Sequence, residues 1–148
     1  MFSVYIDTLE KKPKQTIAMN DYYNFGNKVF IVVKPSFTAL SPTIIKMFMD
    51  KGFYVVKTRP KMLTKLEAQK LYRVHQKEDF YNALCKYMSS DVCVGILLQH
   101  KMSEKEAFKI VGELKDKIRE KYGESDMRNV LHSSDTLENM EREARIFF

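Results

Sequence analysis

The amino-acid sequence predicts an α+β fold in which short, buried strands form a sheet with helices packed on one face. Continuous apolar runs rich in β-branched residues occur at 29–33 and 92–98, and such runs are typical of strands buried on both sides. Capping boxes at Thr64 and Ser103 open helical stretches. The elements follow the order strand-helix-strand, two helices, then strand-helix-strand-helix, which indicates an α+β sheet.

The composition is that of one globular domain. The chain has 148 residues, of which 45% are apolar, and this is enough for a hydrophobic core. The net charge of +6 suits polyanions such as nucleotides, nucleic acid, an acidic protein or an anionic membrane. The basic residues are spread along the chain, so nucleic-acid binding ranks last. We expect no membrane segment and, with two cysteines that lack metal-ligand spacing, a cytoplasmic protein with reduced thiols.

The first 27 residues differ from the remainder and are interpreted as an N-terminal extension. Lys11-Lys12-Pro13-Lys14 is a charged breaker, and the segment 20–27 is aromatic and rich in turn residues. A short strand is expected at 2–7. The aromatic side chains could pack on the domain at 28–148 or on a protein partner, and the sequence leaves both open.

The first half of the domain begins with the strand at 29–33. Its exit carries Lys34, and ligands of sheet proteins commonly bind at the end of a central strand. Ser41 and Pro42 are typical of a helix start, and Gly52 is a typical helix end. A second strand is predicted at 53–58.

The second half contains helices and two further strands. The predicted elements are a helix at 64–75, a helix at 79–88, a strand at 92–98, a helix at 103–122 ended by Gly123, a strand at 130–133 and a helix at 136–146. We find no internal repeat, and His75 and His100 are expected at the surface.

A histidine near the C-terminus is the strongest chemical signal. His132 lies in an apolar run and is followed by Ser133, Ser134 and Asp135, and the next helix carries Glu143. An imidazole can accept and return a charged group near neutral pH. Taken alone, this stretch more often marks a semi-buried structural histidine than a nucleophile.

Several motifs in the same order resemble the nucleoside diphosphate kinase family over residues 29–148. They are Val33-Lys34-Pro35, Lys51-Gly52-Phe53, Leu71-Tyr72, Asp79-Phe80, Arg128-Asn129-Val130-Leu131-His132-Ser133-Ser134-Asp135, Glu141-Arg142-Glu143 and Ile146-Phe147-Phe148. The resemblance implies a ferredoxin-like βαββαβ antiparallel sheet with helices packed on it. It also implies a transferase that moves the γ-phosphate of ATP or another nucleoside triphosphate to a nucleoside diphosphate through a phosphohistidine.

The same resemblance implies the catalytic residues. His132 is expected to be the nucleophile. Glu143 is expected to accept the proton on the other ring nitrogen and so leave the attacking nitrogen free. Ser134 is expected to hydrogen-bond that carboxylate.

The nucleotide-binding residues follow in the same way. The resemblance implies that Lys34 contacts phosphate and sugar, that Tyr72 lies near the transferred phosphate and that Arg119 binds phosphate. Asn129 is expected to meet the ribose hydroxyls. Phe80 is expected to stack on the base, which predicts broad base specificity. Mg²⁺ is expected to be carried by the nucleotide phosphates, without protein ligands of its own.

The chain also departs from the family pattern. Ser133 follows the histidine where the family has glycine, and Ser36-Phe37 replaces Asp-Gly. The family's arginine on the helix predicted at 103–122 aligns with Phe108 and its threonine with about Leu114, and Lys109 could be an imperfect substitute. A loop of roughly ten residues that packs subunits together is missing after Gly112, so the helix is expected to continue into Arg119.

These departures leave the activity and the assembly open. The first hypothesis is a phosphotransferase with retained or weakened activity. The alternative is a weakly active or inactive interaction module in a cytoskeletal or ciliary assembly, with residues 1–27 contacting a protein partner. Monomer, dimer and hetero-assembly are all compatible with the missing loop.

Overall fold

The computed structural model describes residues 25–148, and the predicted strand at 2–7 lies outside them. Within this range there are four strands and five α-helices. They are β1 (Lys28–Val33), α1 (Ser41–Met49), β2 (Tyr54–Lys61), α2 (Lys65–Leu71), α3 (Tyr81–Met88), β3 (Cys93–Gln99), α4 (Glu104–Tyr122), β4 (Leu131–Ser133) and α5 (Leu137–Phe147). Short 3-10 helices occur at Phe25–Asn27, Thr38–Leu40 and Arg73–His75.

The four strands form one antiparallel sheet in the order β2-β3-β1-β4. Strand β1 is central and pairs with β3 along its whole length, from Lys28 opposite Gln99 to Val33 opposite Val94. Its end also pairs with β4, which places Val32 opposite His132. This is the predicted ferredoxin-like arrangement, and it puts the candidate nucleophile beside the end of the central strand.

Helices cover both faces of this sheet, so the expectation of one covered face is wrong. Every residue of β1 is buried, although neighbouring residues of a strand point to opposite faces. On one face, Phe147 of α5 packs on Phe30 and over Gly95. Helices α1 and α4 pack on each other, and they contact β2 and β4 respectively. A strand as uniformly apolar as β1 needs a cover on each side.

Strand β2 is longer than predicted and lies at the edge of the sheet. It reaches Lys61, whereas the sequence predicts an end at Thr58 before Arg59 and Pro60. Because β2 pairs only with β3 among the described strands, Pro60 removes no second ladder of hydrogen bonds within residues 25–148.

The helix boundaries follow the predicted caps closely. Thr64 and Glu67 form a complete capping box at the start of α2, whereas Ser103 provides only the side-chain half of one at α4. Helix α2 ends at Leu71, and a 3-10 helix continues the predicted helical stretch to His75. No helix in the described part of the chain has both the length and the apolar character that crossing a membrane requires.

Helix α4 is continuous from Glu104 to Tyr122 and passes through Gly112 without a break. The predicted continuation of this helix in place of a loop is therefore confirmed. Its buried residues, which include Val111, Leu114 and Ile118, lie on one face. The same helix carries Arg119 towards β4, since Arg119 Nη2 donates a hydrogen bond to the carbonyl of Leu131 at 2.8 Å.

Candidate active site

One cleft of about 380 Å³ brings together every catalytic and nucleotide-binding residue that the sequence analysis selected. These residues are Lys34, Tyr72, Phe80, Arg119, Asn129, His132, Ser134 and Glu143. They come from the end of β1, the end of α2, the turn before α3, helix α4, strand β4 with the residues on either side of it, and helix α5. The fold therefore converges side chains that lie far apart in the sequence.

His132 and Glu143 form the centre of the cleft. Nε2 of His132 lies 2.7 Å from Oε1 of Glu143, and Ser134 Oγ donates to the same oxygen at 2.5 Å. A carboxylate acceptor at Nε2 places the ring proton there, so Nδ1 keeps its lone pair. Residue 132 is thus held in the tautomer that a nucleophilic imidazole needs.

The carboxylate of Glu143 stays ionised although it is buried. Burial alone raises the pKa of Glu143, but hydrogen bonds from His132 and Ser134 and the nearby charge of Arg142 outweigh it. The net effect is a pKa below the ordinary value. The charged acceptor that fixes the imidazole is therefore present at neutral pH.

Lys34 is almost completely buried, with 4% of its surface exposed. Its Nζ donates to Asn129 Oδ1 at 2.7 Å and to the carbonyl of Met127 at 3.2 Å. Burial, followed by the charges of Arg119 and Lys115, lowers the pKa of Lys34 to about 7. An anion in the cleft would restore the charged form of this lysine.

Two buried polar groups in the cleft have no hydrogen-bond partner among the described residues. They are the hydroxyl of Tyr72 and Nε of Arg119. The Tyr72 ring meets the His132 ring edge-on, with 5.0 Å between the centroids. Burial, and then the charge of Glu143, raises the pKa of Tyr72, so its hydroxyl remains a donor. Two unpaired donors beside an imidazole suit a ligand rich in acceptor oxygens.

Aromatic rings lie towards the open end of the cleft. Phe80 is 44% exposed, and its ring centroid is 5.6 Å from that of His75. His75 in turn lies 6.3 Å from the Tyr72 ring. A large exposed aromatic side chain at the mouth of a cationic cleft suits a flat ring such as a base.

Arg128 is a residue whose role the sequence analysis missed. Its guanidinium lies 5.7 Å from the centroid of Phe37 and 5.4 Å from that of Tyr87, and its Nε bonds Glu124 at 2.9 Å. We call these four residues the Arg128 clamp. Phe37 is one of the departures from the family pattern, so this substitution supplies a contact to the loop that carries Asn129.

Lys115 was also missed, and it lines the cleft one helical turn before Arg119. The continuous α4, which the sequence predicted, brings Lys115 near the cleft. The direction of the Lys115 side chain could not be predicted from the helix alone. Lys109, the substitute cation suggested by the sequence, lines a different cavity together with Lys51. That suggestion is wrong. Lys109 lies six residues before Lys115 on α4, and this separation places its side chain on a different face of the helix from the one that lines the cleft.

His100 corrects a further expectation. It is buried, with 2% exposed, whereas the sequence suggested a surface position. Its Nδ1 accepts a hydrogen bond from the backbone of Met102 at 3.2 Å, and its ring packs edge-on against Phe53 at 5.5 Å. His75 lies partly exposed in the cleft. Neither histidine touches Glu143.

The backbone tolerates Ser133, and the strained position is Val130, three residues earlier. Among the described residues other than glycine, positive φ occurs only at Ser36 (76°) and Val130 (83°), so Ser133 needs no left-handed conformation. Val130 lies in a tight turn in which Leu131 N bonds the carbonyl of Asn129 at 3.1 Å. A β-branched residue in this conformation costs about 1–3 kcal/mol. The turn aims Asn129 at Lys34 immediately before His132.

The described residues contain no group of three or more His, Cys, Asp or Glu side chains that could hold a metal ion. The cleft instead combines a fixed imidazole with Lys34, Lys115 and Arg119. These groups can bind a polyanion and present Nδ1 of His132 to it.

Comparisons with known proteins point to one family. A profile described as nucleoside diphosphate kinase matches residues 27–148. The nucleoside diphosphate kinase of Methanococcus maripaludis is 30% identical over 129 residues, covering 82% of this chain and 97% of its own. That of Chloroherpeton thalassium is 32% identical over 110 residues, covering 70% and 78%.

A solved structure agrees with the sequence comparisons. The Aquifex aeolicus nucleoside diphosphate kinase superimposes with a TM-score of 0.71 at 26% identity, over 82% of this chain and 94% of that one. The profile match covers most of the chain, including every residue of the cleft. The chain therefore belongs to the nucleoside diphosphate kinase family and is a nucleotide-binding phosphotransferase.

Proposed function

We propose that this kinase transfers the γ-phosphate of a nucleoside triphosphate to a nucleoside diphosphate through a phosphohistidine at His132. The observation that carries the proposal is the hydrogen bond between His132 Nε2 and the buried Glu143 carboxylate at 2.7 Å. It leaves the Nδ1 lone pair available inside a cleft lined by cations.

The chemistry has two balanced steps. Nδ1 of His132 attacks the γ-phosphorus, an N–P bond forms, and the bond from that phosphorus to the β-γ bridging oxygen breaks. The electron pair leaves with the diphosphate. A terminal oxygen of a second diphosphate then attacks the phosphohistidine, and the N–P bond breaks to return the lone pair to Nδ1.

Phosphate binding falls to the cations and donors around the imidazole. Lys34 and Arg119 lower the repulsion between phosphate charges, and the Tyr72 hydroxyl has no other partner within residues 25–148. The orientation of these groups before the nucleotide binds supports rapid transfer, because phosphoryl transfer depends mainly on positioning and charge stabilisation.

The sugar and base are assigned to the open end of the cleft. Asn129 Nδ2 donates a hydrogen bond to the carbonyl of Asp126 at 2.8 Å, and this contact keeps Asn129 Oδ1 directed at Lys34. The side-chain amide of Asn129 is proposed to contact the ribose hydroxyls. Phe80 is proposed to stack on the base. A stacking contact accepts any base, so broad specificity is expected.

Mg²⁺ is proposed to arrive on the nucleotide phosphates. The described part of the cleft offers two imidazoles, several cations and no group of side chains that could hold a metal ion, which fits a metal held by phosphate oxygens and water. When bound, the ion neutralises phosphate charge. Lys34, Arg119 and Tyr72 would hold the phosphates themselves.

Labelled ATP tests the proposal directly. Incubation with ATP labelled in the γ-phosphate should give an acid-labile phosphoenzyme, and addition of unlabelled GDP should move the label into GTP. His132→Ala should abolish the label. His75→Ala is the matched control, because His75 lines the same cleft without touching Glu143, and it should keep the label. Absence of label on the wild-type protein would refute the proposal.

We further propose that residues 1–27 form an N-terminal extension that contacts a protein partner. An oligomer and a cytoplasmic, cytoskeletal or ciliary location are also part of the proposal. The interaction-module alternative rests on this aromatic extension, on Phe108 and on the missing loop. Asn27 accepts a hydrogen bond from the backbone of His100 at 2.9 Å, so a test deletion should stop at residue 24. The truncated protein should keep phosphotransfer and lose partner binding. Unchanged binding would argue against a partner site there.

A further inference from the structure

Lys115 and Arg119 project into the cleft from the same face of α4. Residues four apart on a helix are neighbours on its surface, and both side chains line the cleft that contains His132. Lys34 faces them from the end of β1. Helix α4 reaches this position because it is continuous through the segment where the family pattern has a loop, as the sequence predicts.

The ammonium group of Lys115 has no hydrogen-bond or ion-pair partner within residues 25–148. It is partly buried rather than free in solvent. Burial, and then the charge of Arg119, lowers its pKa, while Asp135 and Asp116 offset this in part. Lys115 also helps to lower the pKa of Lys34. These like charges repel one another in the empty cleft, and a polyanion would reverse that repulsion.

A structural role does not explain this placement. Lysine is a common surface residue of helices, and Lys117, two residues further along α4, shows the ordinary exposed position. By comparison, the partly exposed Lys61 is paired with the carboxylate of Glu67 at 2.7 Å. Lys115 instead places a charge next to two other cations.

We propose that Lys115 is an additional phosphate-binding residue of the nucleotide site, supplied by the continuous α4 and absent from the contacts that the family resemblance implied. The identity of the ligand rests on the proposed function. Lys115 would donate to the phosphate chain of a nucleoside di- or triphosphate beside Arg119. It would thereby offset the loss of the cation at Phe108, the position that aligns with the family's arginine.

The test measures ADP affinity by calorimetry on the full chain and on four variants. Lys115→Met keeps the apolar stem and removes the charge, and ADP should bind about ten- to a hundredfold more weakly. Lys115→Arg should stay within a few-fold of the wild type. Lys117→Met and Lys109→Met remove charges from the same helix outside the cleft, and both should leave affinity unchanged.

A thermal melt without nucleotide separates ligand binding from a structural role. Removing a repelled charge should leave the melting temperature of Lys115→Met equal to or above that of the wild type, whereas loss of a stabilising contact would lower it. Tripolyphosphate, as a probe without base and sugar, should show the same loss of affinity as ADP.

The outcomes distinguish this inference from the proposed function. Wild-type affinity in Lys115→Met, or an equal loss in Lys117→Met, overturns the role of Lys115 even if the phosphoenzyme forms. A phosphoenzyme that fails to form, with ADP binding that still depends on Lys115, overturns the proposed reaction and leaves the inference standing. Absence of ADP binding to the wild type overturns both.

Discussion

The carboxylate of Glu143 accepts two short hydrogen bonds on one oxygen, from Nε2 of His132 at 2.7 Å and from Oγ of Ser134 at 2.5 Å. The second carboxylate oxygen lies 3.3 Å from Nη2 of Arg142. Strand β4 and helix α5, which are joined by a short connection, are thereby linked through a buried charge. The ring orientation of His132 depends on this link.

Loss of the Glu143 charge should slow phosphoenzyme formation. In Glu143→Gln the side chain keeps its size but can offer its amide NH₂ to the ring, which removes the preference for a proton on Nε2. We expect a decrease of about 10²–10⁴ in the rate of phosphoenzyme formation, with ADP affinity within a few-fold of the wild type. Rapid-quench measurement with labelled ATP gives the rate. Ser134→Ala, which removes only the second donor, should lose less, and an unaltered rate in Glu143→Gln would refute the role of this carboxylate.

Nucleotide binding should take up protons through Lys34. Its pKa of about 7 in the empty cleft means that much of it is neutral above that pH, whereas bound phosphate favours the ammonium form. ADP affinity should therefore fall as pH rises above about 7. Calorimetry in buffers of different ionisation enthalpy should detect less than one proton taken up per ADP near this pH. Lys34→Met should abolish the uptake, and Lys117→Met should preserve it.

The same lysine should make the empty protein more stable at alkaline pH. The pKa in the folded state, about 7, lies below the ordinary value of 10.5, so between these values the unfolded chain binds more protons. The contribution of Lys34 to the free energy of unfolding consequently rises with pH across this window. Urea titrations of wild type and Lys34→Met at several pH values should give a slope difference of that sign, and an opposite difference would contradict the lowered pKa.

Phe80 should contribute to base binding and little to folding. Because its ring is 44% exposed, Phe80→Ala should leave the melting temperature nearly unchanged. The loss of stacking should weaken ADP binding by about 1–3 kcal/mol. Tripolyphosphate has no base, so its affinity should not change. An equal loss for both ligands would show that Phe80 supports the phosphate site instead.

Two glycines should respond to alanine in opposite ways. A Cβ on Gly112 would meet nothing within 4 Å, and Gly112→Ala in the middle of α4 should stabilise the protein by about 1 kcal/mol. A Cβ on Gly95 would lie 2.5 Å from the Phe147 ring, and Gly95→Ala should destabilise by about 1–3 kcal/mol. Urea denaturation measures both. Stabilisation by Gly95→Ala would contradict the close packing of α5 on β3.

The elements of the fold were predictable where local signals are strong. The apolar run at 29–33, the caps at Thr64 and Ser103 and the glycine at 52 each act within a few residues, and the structure has the corresponding strand and helices. The end of β2 was not predictable, since a proline is compatible with a strand only at a sheet edge. Edge position depends on the order of strands, which local sequence does not contain.

The site shows the same limit. His132, Glu143 and their partners could be chosen because the spacing of several motifs matched a family. Lys115 has no such motif, and its direction depends on the rotation of α4 against β4. His100 was misjudged for a similar reason, because its burial comes from Phe53, which lies far from it in the sequence. Side-chain direction and tertiary burial are properties of packing rather than of composition.

The Arg128 clamp ties together parts of the chain that are distant in sequence. Phe37 follows β1, Tyr87 belongs to α3, and Glu124 lies between α4 and β4. The hydroxyl of Tyr87 also donates to the carbonyl of Pro35 at 2.5 Å, directly after Lys34. Local unfolding of the segment before β4 would therefore break the contact between Asn129 and Lys34 and loosen the chain around both residues together. The backbone amide hydrogens around Lys34 and Asn129 are consequently expected to exchange with solvent as one cooperative unit.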